Sequence, residues 1–124
     1  MGHHSHVLDA LRGPTRSLRD AIPDTWRAYA TLHRSALEDG ALDAATKELL
    51  ALAIAVVKQC DGCIAHHARA AARKGATPQQ VAEALGVAVL MDGGSATVHG
   101  PRAWEAYQEF AAGDGGSDAG GDGG

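Results

Sequence analysis

Between Asp43 and Lys58 the chain runs through Ala44-Ala45-Thr46-Lys47-Glu48 into nine apolar residues, Leu49 to Val57. The alanine content and the length favour a helix over a strand. Asp43 is placed to start it, because its carboxylate can accept from backbone N–H groups two or three residues on. A helix apolar almost all round belongs in the middle of a fold, with other helices packed about it. It leads directly into Cys60-Asp61-Gly62-Cys63-Ile64-Ala65-His66-His67, which holds the only two cysteines of the chain.

The remaining elements are expected to be helical too. Pro23 suits a first turn, and Trp26, Tyr29, Leu32, His33 and Leu37 recur at helical spacing. Gly40 is expected to stop that helix in a left-handed conformation; Trp26 and Tyr29 are expected in the core or at a subunit contact. A helix from near Gly62 to Lys74 stops at Gly75. Thr77-Pro78-Gln79-Gln80 reads as a capping box that opens the next helix, which runs to about Met91. Asp92-Gly93-Gly94 is a break, and Ser95 is expected to cap a last helix to about Ala111, kinked at Pro101. No segment reads as a strand, so the expected class is all-α, a single-domain helical bundle. Residues 1–20 are expected to be a partly helical extension, disordered at its histidine-rich start and broken at Gly13-Pro14. Residues 112–124, almost all Gly and Asp, are expected to be a disordered tail.

Bulk properties exclude several roles. The formal charge is -4, and three of the acids (Asp114, Asp118 and Asp122) lie in the tail. No basic field suggests nucleic acid, and no polybasic run suggests a membrane surface. The nine-residue apolar run is about half of what a membrane span needs. Met1 to His6 contains no apolar signal region, so a cytoplasmic location is expected. There, a C-x-x-C pair is more often catalytic or metal-binding than a structural staple.

A thiolate, not a thiol, is the nucleophile. Cys63 is expected in the first turn of its helix, where unpaired N–H groups favour negative charge. His67 lies one turn further along the same face and can take the thiol proton. Glu48, an acid among apolar neighbours, needs a partner, either an arginine or a histidine. Along a straight helix Cys60 would stand about 18 Å from it. The chain must reverse around Gln59 to Gly62, however, which brings His67 back toward Glu48. The residues therefore permit a relay Glu48–His67–Cys63, with Cys60 as the resolving partner and no metal or organic cofactor.

Glu48, Cys60, Cys63 and His67 stand in the order E-x11-C-x2-C-x3-H. This pattern resembles the AhpD-like alkylhydroperoxidases of the carboxymuconolactone decarboxylase superfamily. The segments Leu42 to Leu49, Gly75 to Ala84 and Met91 to Ala96 are similar to the family's flanking segments, and the likeness covers roughly residues 24–110. It implies an all-helical subunit assembling as a trimer or hexamer. It also implies thiol-dependent peroxidase activity, with Cys63 attacking a hydroperoxide, Cys60 resolving, and a dithiol reductant such as a dihydrolipoyl protein. One departure is Gly62, where the best-studied pattern carries a histidine between the cysteines.

Three rival readings belong beside this one. Zinc could be held by Cys60, Cys63 and His66 or His67, with His33 or His99 approaching only through the fold. A muconolactone-type decarboxylase would share the fold without needing the dithiol. A redox sensor or assembly module would use the same disulfide without turnover. His66 is expected to be a surface or core residue outside the relay, since it points about 100 degrees from His67. His99 could face the same pocket in a neighbouring subunit.

Overall fold

The computed structural model describes residues 2–113. The expected glycine- and aspartate-rich tail therefore lies, but for its first two residues, outside the described part. Six helices run in the order α1 (His3–Ala21), α2 (Pro23–Leu37), α3 (Ala44–Lys58), α4 (Asp61–Arg73), α5 (Pro78–Asp92) and α6 (Ala96–Ala111), with a 3₁₀ turn at Gly93–Ser95. No strand occurs among the described residues. The protein is all-α.

The core lies between α3, α4, α5 and α6, which pack on one another. Leu52 and Val56 of α3, Ile64 of α4 and Val81 of α5 are fully buried. Around them the buried set is mostly alanine: Ala55, Ala65, Ala68, Ala71, Ala88, Ala96, Ala103 and Ala106. Small side chains let the helix backbones approach closely. Tyr107 of α6 ties the bundle across its end, its hydroxyl donating to the Ala76 carbonyl at 2.7 Å.

Local chemistry accounts for most helix boundaries. Asp43 accepts from the Thr46 amide at 2.8 Å, and Asp39 accepts from the Ala44 amide at 2.7 Å, so α3 starts on two carboxylates. The Thr77 and Gln80 side chains each accept from the other's amide, closing the capping box of α5. Gly75 and Gly93 both adopt positive φ, +88° and +77°, at the turns that end α4 and α5. Pro78–Ala111 as one stretch is apolar and long enough to cross a membrane. It is broken at Gly93, however, and α5 folds back on α6.

Five expectations are corrected. Gly13-Pro14 does not break the first helix: α1 continues through Pro14. The missing N–H falls on an exposed stretch, where water can satisfy the freed carbonyl. Nor is its start loose. Glu109 of α6 accepts from the Ser5 amide (2.8 Å), the Ser5 hydroxyl (2.6 Å) and the His4 amide (3.1 Å), supplying from another helix the cap that α1 lacks. His4 is buried, and its ring donates to Glu105 at 2.9 Å. Gly40 is not a left-handed stop, because α2 ends at Leu37 and leaves through an extended Glu38. Ser95 does not cap α6, because its hydroxyl donates to Asp92 at 2.6 Å and its backbone is already helical.

The fifth correction concerns burial. Helix α2 contributes no buried residue, so Trp26 and Tyr29 are not core. On α3 the apolar run is buried on one side only, and Leu50, Ile54 and Val57 are exposed in the single chain. An apolar helix shows its composition in the sequence, but not how much of its circumference one subunit can cover.

Candidate active site

The turn between α3 and α4 positions the cysteines. Gln59 takes a left-handed conformation (φ 56°, ψ 42°) and closes α3. The Cys60 amide then donates back to the Ala55 carbonyl at 3.2 Å, a Schellman-type ending. Cys60 is also the N-cap of α4, its sulfur accepting from the Cys63 amide at 3.2 Å. One residue thus ends one helix and begins the next, and its sulfur sits at the positive end of α4. Cys60 and Cys63 are joined in a disulfide, with Cα atoms 5.2 Å apart. Cys63 is exposed and Cys60 half-buried, so the outer sulfur is open to solvent. Helix α1 passes close by: a Cβ at Gly62 would stand 3.2 Å from Leu11 Cδ1. A bulkier residue between the cysteines would press on α1.

Four residues beyond Cys63, His67 Nδ1 donates to Glu48 Oε1 at 2.7 Å. Glu48 is 4 % exposed, so the carboxylate of α3 is buried, and the histidine is a partner it finds there. Because a carboxylate accepts, Nδ1 is the donor, and in the neutral ring Nε2 then carries the lone pair. That is the tautomer a base needs.

Two further histidines join this pair. His66 has its ring centroid 4.9 Å from that of His67, and His33 of α2 stands 5.5 Å from His66 and 6.2 Å from His67. Burial, then the nearby His67, Arg69 and His33, pushes the His66 pKa down to about 4. Burial and His67 lower that of His33 as well. His33, Glu48 and His66 line a cavity of about 750 Å³, bordered by Arg34, Arg69 and Arg73. His66 is therefore partly buried against His67 rather than apart from it. His99 Nδ1 donates to the Ser95 carbonyl one turn earlier, at 3.1 Å. The approach of His33 left no local signal, since it depends on how α2 lies across α4.

The model of the carboxymuconolactone decarboxylase family matches residues 23–112. The chain belongs to that family. Among curated relatives, it is 43 % identical over 101 residues to "uncharacterized protein 4 in cox locus" of Paracoccus denitrificans, covering 82 % of this chain and 88 % of the relative. It is 40 % identical over 105 residues to a Haemophilus influenzae protein, covering 85 % and 89 %. A solved family protein of Legionella pneumophila superposes with a TM-score of 0.85 at 38 % identity, covering 87 % of this chain and 96 % of that one. A Thermotoga maritima family protein, for which a part in an antioxidative response has been suggested, gives a TM-score of 0.74 at 28 % identity, covering 86 % and 91 %.

Proposed function

We propose that this family member is a thiol-dependent peroxidase that reduces organic hydroperoxides through Cys63 and Cys60. The observation that carries the reading is the buried Glu48–His67 pair at 2.7 Å, one helical turn beyond a solvent-exposed cysteine that a second cysteine can bridge. In the reduced protein His67 Nε2 takes the Cys63 proton, and the Glu48 carboxylate stabilises the imidazolium that results. The Cys63 thiolate attacks the terminal oxygen of the hydroperoxide. The O–O bond breaks, an S–O bond forms, and the alcohol leaves with the proton returned by His67. Cys60 then attacks the Cys63 sulfenic acid, forming the disulfide and releasing water. An external dithiol supplies two electrons and two protons to reopen it.

Exposure favours Cys63 as the attacking sulfur. The cap position favours Cys60 as a stabilised thiolate, a good leaving group when the external dithiol attacks Cys63. The intact dithiol supports this reading over a decarboxylase, which has no use for it. The exposed apolar residues of α3 and α5 (Leu50, Ile54, Val87, Leu90 and Met91) support assembly of several subunits. The test is peroxide-dependent turnover with dihydrolipoamide as the dithiol. Wild-type protein should consume one hydroperoxide per dihydrolipoamide oxidised. Full turnover in Cys63→Ser would refute the assignment.

A further inference from the structure

We propose that His33, His66 and His67 form a binding site for one divalent transition-metal ion of the zinc type, with Glu48 as the outer partner of His67. This goes beyond the peroxidase reading and does not depend on it. One ligand atom from each of the three histidines lies within 4.8 Å of the others, and the residues come from two different helices, α2 and α4. Imidazole nitrogens bind zinc at about 2.0–2.1 Å, which sets neighbouring donors of a tetrahedral site about 3.3 Å apart. Closing from 4.8 Å takes a shift of about 1.5 Å in the widest pair. The helix that would move is the one least held: α2 buries no residue and rests only lightly on α1 and α3.

The second shell is already built. Zinc-binding histidines generally donate their other ring N–H to a carboxylate, which fixes the tautomer and strengthens the ligand. His67 does this with Glu48 at 2.7 Å, leaving Nε2 as its donor atom. The cavity beside His33 and His66 gives the fourth position to water or a small anion, with Arg34 and Arg73 on its border. This donor set contains no sulfur, so it differs from a zinc site built on the two cysteines. It shares His67 with the proposed thiol chemistry. An ion on Nε2 takes the lone pair that would accept the Cys63 proton, so metal occupancy and thiolate formation exclude each other.

The test titrates Co²⁺ into the full chain with its disulfide closed, so that no thiol can bind. The proposal predicts one ion per chain, ligand-field bands of a four- or five-coordinate nitrogen site, and displacement by Zn²⁺. His33→Gln and His66→Gln should each weaken binding at least tenfold while keeping the helical circular dichroism. A His3→Gln/His6→Gln variant should bind as wild type does. Absence of binding to the disulfide form, binding unchanged in both His33→Gln and His66→Gln, or loss of binding in the His3/His6 variant would each overturn the site. None of these readouts involves peroxide, so a failed peroxidase assay leaves the site standing, and the reverse also holds.

Discussion

At the scale of single residues, the account turns on a buried carboxylate holding a histidine in one tautomer. Glu48→Gln keeps the shape of the side chain but removes the charge that stabilises the His67 imidazolium. Peroxide-driven oxidation of Cys63 should then slow by about two orders of magnitude, the usual weight of a general base. Stopped-flow measurement of thiol loss across pH checks this, since a merely structural role would leave the pH profile unmoved. The Glu48–His67 contact is one of two the sequence leaves open, the other being a salt bridge to an arginine. An acid in an apolar run needs a partner, and a reversal at Gln59 to Gly62 brings the two helices together. His33 was not legible as a neighbour of His66 and His67, because no local pattern says how α2 lies across α4. The role of Cys60 as the α4 cap was also hidden, since sulfur is not among the usual capping atoms.

At the scale of elements, short-range chemistry reads from sequence and long-range capping does not. The Thr77–Gln80 box was recognisable because its partners are three residues apart. Thr77→Ala should cost about 1 kcal/mol in a denaturant melt, the usual weight of a lost N-cap. The start of α1 is held instead by Glu109, more than a hundred residues away, a cap that no local pattern announces. Burial pushes the Glu109 carboxyl up, but the Ser5 hydroxyl, the Ser5 and His4 amides and the nearby His4 charge outweigh it, and its pKa falls below the ordinary glutamate value. A carboxyl depressed in the folded state stabilises above its unfolded pKa, and that contribution is lost as pH falls through the lower folded value. Thermal melts from pH 7 to 3 should therefore show a steeper acid loss in wild type than in Glu109→Gln. At neutral pH the variant should be less stable by about 1.5–3 kcal/mol, as for hydrogen bonds to a charged group.

At the scale of the whole molecule, one chain leaves much apolar surface uncovered. Leu50 and Ile54 are 51 % and 58 % exposed, and on α5 Leu90 and Met91 reach 78 % and 77 %. The all-helical class was plain from periodicity, yet how α3 divides between its own core and its surroundings was not. Composition cannot separate burial within a subunit from burial between subunits. If like subunits cover this face, Ile54→Glu should convert the assembly to monomers, read by size-exclusion chromatography with light scattering. An unchanged mass would remove α3 from the interface.

The central claim is that Cys63 takes the oxygen and Cys60 closes the disulfide. It is tested most directly by a single-turnover thiol count on the reduced protein, with one equivalent of an alkyl hydroperoxide. The account predicts loss of two thiols per peroxide in wild type, one trappable sulfenic acid at Cys63 in Cys60→Ser, and no peroxide-dependent change in Cys63→Ser. Formation of a sulfenic acid at Cys60 in Cys63→Ser at the wild-type rate would contradict it.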